Sequence, residues 1–293
     1  MKPTFEVDAL RAIVAGTELG SFARAAVQLG RSQSAVSMQL KRLEEQAGRP
    51  LFQRSGRGLV PTEAGDALLV YARRIIELHD EAAAALGSTA AAASVKMGLP
   101  QDFFEDVMPD AITRYSRRRP GVHVEVRAGR NHALEDEVNA GHLDIALAFF
   151  RSGRSRPGTL LASLPMSWFA GKSFAWSVAE RPVGIPLVLY DHPCLFRQAA
   201  LHTLDSKGVK WRPSLTTPSL PGVWAAVRFG QGITVRTSHR VPIGIGEVGS
   251  KFGLPRLPSI ELRMVTRSNP SPAASDLRDI LQAVVRKRVA GAK

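Results

Sequence analysis

The stretch that most limits how this chain can fold is "GSFARAAVQLGRSQSAVSMQLKRLEEQAG", Gly20 to Gly48. Ser21 and Ser32 stand where a helix start wants a short side chain to accept a free amide. Gly30 and Gly48 stand where a helix end wants a left-handed residue. Between these marks the apolar residues keep helical spacing. Phe22, Ala25, Ala26 and Leu29 share one side of the first helix, and Val36, Leu40 and Leu43 share one side of the second. Only Gly30, Arg31 and Ser32 separate the two helices, which is the spacing of a helix-turn-helix. Ala25 and Ala26 are small enough to let two helices approach closely.

The outer side of the second helix is polar. Gln33, Ser37 and Lys41 stack at i, i+4 and i+8, with Ser34, Met38 and Arg42 in the adjacent row. In a helix-turn-helix the second helix lies in the DNA major groove with its first residues at base edges. Gln suits an adenine edge, Ser suits either base type, and Lys or Arg suits phosphate or guanine.

The flanks fit the same unit. Thr4 is the predicted cap of a preceding helix, with Glu6 and Asp8 in its first turn. That helix turns Leu10, Ile13 and Val14 inward and stops near Gly16 to Gly20. After Gly48, "RPLFQRSGRGLVPT" places two short apolar runs around Ser55, Gly56, Arg57 and Gly58, the pattern of a β-hairpin wing. Arg54 and Arg57 on that wing suit phosphates or a minor groove. Thr62 opens another helix with Glu63 in its first turn. Leu68, Tyr71, Ile75, Leu78, Ala82 and Ala85 recur there at alternating spacings of three and four, like a coiled-coil seam. A buried amphipathic helix fits the same short pattern. "GSTAAAAS", Gly87 to Ser94, reads as a hinge.

From residue 95 the pattern changes to strands alternating with helices. "VKMGL" is a predicted strand, Phe103 to Arg118 a helix, and "VHVEV" a strand with Val122, Val124 and Val126 on one face. Ala133 to Ala140 is a helix and "DIALAFF" a continuous apolar strand. This βαβαβ order implies a parallel sheet with right-handed crossovers. A second series follows: "PLVLY" (186–190), a helix near 195–206, a strand ending at "SLTT" (214–217), a helix near 220–229 and "ITVRT" (233–237). "IELRMVT" (260–266) and a helix near 273–289 close it. "GRSRPG" and "IGIGEVG" read as turns.

Composition sets outer limits. A chain of 293 residues suggests two or three domains, and 44% hydrophobic residues allow a sizeable core. "MKPTFEVDAL" carries acids and no long apolar run, so neither a secretory leader nor a membrane span is expected. The single cysteine, Cys194, permits no internal disulfide, and the expected location is the cytoplasm. Net charge is +13, divided as +3 over residues 1–65, −2 over 66–93 and +12 over 94–293. Most of the excess thus lies outside the helix-turn-helix, as a surface rich in arginine. His79, His123, His132, His142, His192, His202 and His239 show no metal-ligand spacing with one another or with Cys194. No G-x-S-x-G or phosphate loop is present. Neither enzyme activity nor a cofactor is expected.

"GSFARAAVQLGRSQSAVSMQLKRLEEQAGRPLFQRSGRGLVPTEAG" resembles the winged helix-turn-helix of LysR-type transcriptional regulators. "GLPQDFFEDVMPDAI" and "VLYDHPCLFRQAAL" further resemble the LrhA/HexA-like branch of that family. The resemblance spans nearly the whole chain and is weakest over 150–185 and 238–259. It implies an α/β fold with an all-α winged head, a linker helix and two Rossmann-like subdomains similar to type 2 periplasmic binding proteins. The implied bounds are 1–61 for the head, 62–93 for the linker and 94–293 for the effector domain. Within that domain, 94–162 with 267–293 form one subdomain and 163–266 the other.

The resemblance further implies a homodimer or homotetramer, paired through Leu68, Tyr71, Ile75 and Leu78, on double-stranded DNA with an interrupted palindrome. It implies contact with RNA polymerase and a small-molecule co-inducer. Ser21, Gln33, Ser34, Ser37, Met38, Lys41, Arg54 and Arg57 are the expected DNA-facing residues. Ser34 and Met38 depart from the Pro and Arg that many family members carry there.

Strand ends place the effector site. Pro100, Gln101 and Asp102 follow one strand, Arg130 and Asn131 another, and Phe150 ends a third. In the second half Thr217 and Ser219 follow one strand, and Arg236 and Thr237 end another, so these positions line the cleft. Arg130, Asn131, Ser219 and Thr237 would bind a polar or anionic co-inducer, with Phe150 as an apolar wall. Asp102 at a helix start would cap that helix and repel an anion. Two alternatives stand beside this. One is a ligand-independent or thiol-responsive regulator, with Cys194 near a helix N-terminus and the cleft unused. The other is a solute-binding receptor, which the helix-turn-helix argues against.

Overall fold

The computed structural model describes residues 4–55, 58–85, 94–129, 131–153, 156–177 and 183–290. The chain falls into two compact units, one holding residues up to Ser94 with the short stretches 121–123 and 139–142, the other holding the rest.

The N-terminal unit begins with α1 (Val7–Glu18), α2 (Phe22–Gln28) and α3 (Gln33–Ala47). Ser21 Oγ accepts the Arg24 amide and Ser32 Oγ accepts the Ala35 amide, so both serines act as caps. Gly48 ends α3 at φ 68°. Thr4 does not cap α1: the helix starts at Val7 with Glu6 in the cap position and no side-chain bond. Thr4 is two residues too early to reach the free amides of the first turn.

Leu10, Ile13, Leu43, Leu51 and Leu69 form the core of this unit. Each fully buried Leu or Ile contributes about 1.5–3 kcal/mol. Gly16 is fixed by packing, because a Cβ there would lie 2.6 Å from the Phe22 ring. The hairpin β1 (Phe52–Ser55) and β2 (Gly58–Pro61) is antiparallel. Glu44 Oε1 ties its start to α3, accepting the Leu51 and Phe52 amides at 2.8 and 3.1 Å.

α4 (Glu63–Ala85) follows, with Thr62 Oγ1 accepting the Gly65 amide. Its 23 residues span about 35 Å at 1.5 Å per residue. Gly65 lets the helix seat against the wing, since a Cβ would meet the Leu51 carbonyl oxygen at 2.0 Å. The expected seam splits in two. Leu69 and Ala72 are buried in the core of this unit, and Leu68 and Ile76 pack on the same cluster. Tyr71, Ile75 and Leu78 are 60, 39 and 67% exposed. At 3.6 residues per turn Leu68 lies about 20° from Ile75 and about 40° from Ala72, so it stands half-buried at the border between the exposed row and the core cluster.

The C-terminal unit contains β3 (Ser94–Leu99), α5 (Val107–Arg118), β4 (His123–Ala128), α6 (Asn131–Asn139), β5 (Ile145–Arg151) and β6 (Thr159–Gly171). It continues with β7 (Ile185–Tyr190), α7 (Leu195–Ser206), β8 (Trp211–Thr217), α8 (Leu220–Arg228), β9 (Thr234–Thr237), β10 (Ile245–Glu247), β11 (Ser259–Thr266) and α9 (Pro272–Ala290). One sheet runs β10–β6–β11–β5–β3–β4, with β9 also on β6. β3 and β5 are parallel, as are β7 and β8. The large sheet is nonetheless mixed, because β11 runs antiparallel to both β5 and β6. The expected parallel sheet is thus corrected: the chain returns through β11 without a crossover helix beside β5.

Three further details differ from expectation. The predicted helix at Phe103 starts at Val107, because Asp106 Oδ1 accepts the Val107 amide and residues 101–103 form a 3₁₀ turn. The "VHVEV" strand shows no clean alternation: Val122, Val124, Glu125 and Val126 are all half-buried at the end of the sheet order. β6 is a strand of 13 residues with Pro165 inside it. Up to Pro165 it pairs with β11, and from Met166 onward with β9. Proline is tolerated where a strand changes partners. The expected subdomain boundary at 162/163 falls inside this strand.

Candidate functional site

Two surfaces carry the chemistry. The first is the outer side of α3, where Gln33, Ser34, Ser37, Met38 and Lys41 are all exposed. Val36 and Leu43 on the opposite side are fully buried, which fixes the rotation of the helix. Lys41 has one exposed partner, Glu45, at 3.9 Å. Such a surface pair is worth about 0–1 kcal/mol and yields readily to a phosphate. Ser21 is half-buried and engaged as the cap of α2, so its first role is structural. Arg54 is exposed on β1. Arg57 lies outside the described residues.

The second surface is a cleft where the carboxyl ends of β3, β5, β7 and β9 converge, the place where α/β sheets bind ligands. A cavity of about 40 Å³ there is lined by Pro100, Gln101, Asp102, Gly129, Phe149, Tyr190, Pro193, Cys194, Phe196, Leu220 and Arg236. Among these, Arg236 is 4% exposed. Its Nη1 lies 3.7 Å from Asp102 Oδ1, an ion pair without a hydrogen bond. Its Cζ lies 4.7 Å from the Phe196 ring centre and 5.2 Å from that of Tyr190. Nε and Nη2 have no hydrogen-bond partner in the protein.

Polar contacts from the 101–106 segment span the cleft. Gln101 Oε1 accepts the Leu220 amide at 2.8 Å, at the start of α8. Arg240 Nη2 donates to Glu105 at 3.0 Å, and buried His239 lies 3.3 Å from Asp106. A recess of about 470 Å³ shares Gln101, Asp102 and Leu220 with the Arg236 cavity. Another of about 340 Å³ shares Phe149, Pro193 and Cys194.

The predicted effector residues divide accordingly. Pro100, Gln101 and Asp102 line the Arg236 cavity. Phe150 lines the adjoining cavity and packs in a cluster with Leu134 and Val138, while Phe149 lines both cavities. Ser219 caps α8 by accepting the Gly222 amide, and Thr217 Oγ1 accepts the Ser219 amide. Thr237 is buried in β9. Arg130 and the side chain of Asn131 lie outside the described residues. The buried cation, Arg236, is expected at a strand end lining the cleft but is not among the residues expected to bind the co-inducer. Its signal in the sequence is a lone charge inside the strand "ITVRT".

Residues 7–66 match the family model "Bacterial regulatory helix-turn-helix protein, lysR family", and residues 89–286 match "LysR substrate binding domain". The chain is 32% identical over 283 residues to HTH-type transcriptional regulator DgdR of Burkholderia cepacia, covering 96% of this chain and 95% of that one. It is 34% identical over 253 residues to HTH-type transcriptional regulator PecT of Dickeya dadantii (strain 3937), covering 86% and 79%. Its fold is similar to the crystal structure of ArgP from Mycobacterium tuberculosis, with a TM-score of 0.75 at 22% identity over 96% of this chain and 98% of that one. With the capped helix-turn-helix, the wing and the α/β cleft in place, these matches show that the chain belongs to the LysR family of DNA-binding transcriptional regulators, with a ligand-binding substrate domain behind its DNA-binding head.

Proposed function

We propose that this regulator binds an interrupted palindrome as a dimer and changes its grip when a small molecule enters the cleft. The observation that carries the DNA half is the uniform exposure of Gln33, Ser34, Ser37, Met38 and Lys41 along one side of a helix whose other side is buried. Gln33, Ser34, Ser37 and Met38 would face the bases. Lys41 and Arg54 would hold phosphates, which position the head and carry no sequence information.

Two heads on one palindrome need a two-fold partner. The row Tyr71, Ile75 and Leu78 supports α4 as that partner surface, because three large apolar side chains stand in water there. Tetramers and contact with RNA polymerase would build on that dimer. The setting would be the cytoplasm, where the target DNA lies. Among the described residues, no helix is long and apolar enough to cross a membrane. The chain would act by binding, without turnover.

The effector half rests on the unfilled donors of Arg236 between strand ends. The test is footprinting and gel retardation with the purified full-length protein and single alanine substitutions at Gln33, Ser34, Ser37 and Met38. The expected result is altered site preference in at least one variant. Unchanged preference in all four would overturn the assignment of α3 as the reading helix.

A further inference from the structure

We propose that the edge of Arg236 is the seat for the carboxylate of a small amphipathic monoanion; this rests on the cleft being the effector site. Nε and Nη2 both lack a partner, and Arg236 is 4% exposed. These two donors share one edge of the guanidinium plane and point the same way. A planar group with two oxygens fills that edge with two parallel bonds, the geometry arginine makes with carboxylates. The other directions are taken. Nη1 is turned to Asp102, and the Phe196 and Tyr190 rings stack near Cζ.

Size and charge narrow the class further. A cavity of about 40 Å³ holds a few waters, hence one carboxylate group. The adjoining cavity of about 340 Å³ shares Phe149, Pro193 and Cys194 with it and adds Phe150 and Leu195. A short apolar body fits there. Among the described residues lining the two cavities, Arg151, Arg156 and Arg236 stand against Asp102 and Glu135, a net charge of +1. That balance matches one negative charge, and Asp102 repels a second carboxylate beside Arg236.

The test uses full-length protein with acetate, hexanoate and benzoate, their matched amides, and inorganic phosphate. Cys194 is the only cysteine and lines both cavities, so its alkylation rate reports occupancy. At least one carboxylate should raise the thermal midpoint and slow Cys194 alkylation, while amides and phosphate should do neither. Arg236→Lys keeps the charge and loses the two-donor edge, and should weaken carboxylate binding about tenfold or more. Equal protection by an amide, no protection by any carboxylate, or undiminished carboxylate binding to Arg236→Lys would overturn the proposal. The carboxylate-against-amide comparison in the unaltered chain decides even if the variant fails to fold. An amide that protects Cys194 and also shifts DNA retardation would sink the carboxylate assignment and leave the effector reading standing. Protection by a carboxylate without any change in DNA binding would sink the effector reading instead.

Discussion

On α3, Gln33, Ser34, Ser37, Met38 and Lys41 stand in water; Ser34 Oγ lies 3.0 Å from Ser32 Oγ, and Lys41 lies 3.9 Å from Glu45. At the end of β9, Arg236 is buried among aromatic rings with two donors unfilled. The first surface comes from nine consecutive residues on one helix. The second gathers residues from 100 to 236 of the chain. A surface for a macromolecule needs a rigid row of exposed groups, which one capped helix supplies. A seat for a small molecule needs enclosure, which takes several strand ends and the loops after them.

Changes outside both surfaces should have the largest effect. Ile75→Asp puts a charge in the exposed apolar row of α4. Losing the dimer turns two-headed binding into one-headed binding and should cost about 10²–10⁴-fold in operator affinity. Light scattering alongside gel retardation checks it. A wild-type monomer at micromolar concentration would break the argument.

Changes on the exposed surface come next. Gln33→Ala should cost about 1–3 kcal/mol on a specific site if the side chain makes a two-bond base contact, with non-specific affinity unchanged. Arg54→Ala should weaken all sequences alike and lower the salt slope by about 0.9. Titrations at several salt concentrations separate the two behaviours.

Within the enclosed surface, Gln101→Ala removes the acceptor of the Leu220 amide. An unpaired, partly buried amide costs about 1–3 kcal/mol, so the unliganded protein should melt earlier while DNA affinity holds. An unchanged melting curve would show that the bond does not hold the cleft.

The smallest expected effect concerns the ion pairs between α5 and α9. Asp276 joins them through Arg119 and Arg118, and hydrogen bonds from those arginines hold its pKa below the usual carboxylate value. Its contribution is therefore present above about pH 4 and lost as pH falls through the lowered value. The difference in thermal midpoint between wild type and Asp276→Asn should close in acid. A gap that stays constant with pH would exclude the ion pairs as its cause.

The same contrast governs what could be read from residues alone. Caps, terminal glycines and apolar spacing are local signals, so α2, α3, the wing and the exposed row were legible. Thr4 misled because the first turn started two residues later than its hydroxyl could serve. The cleft was legible only as a set of strand ends. "DIALAFF" is buried along its whole length, so no alternation tells Phe149 from Phe150. β6 was hidden by Pro165, whose place at the change of partners is a tertiary fact. Arg236 is legible as a strand-end residue of the cleft but not as its binding cation, because only the fold reveals that its donors are buried and unfilled.

The most direct test of the whole account is genome-wide footprinting of the purified full-length protein with and without candidate small carboxylates. The account predicts protection of paired half-sites whose strength or extent changes when a bound carboxylate is present, and no such change for Arg236→Lys. Footprints identical in every condition, from a wild-type protein shown to bind the carboxylate, would contradict it.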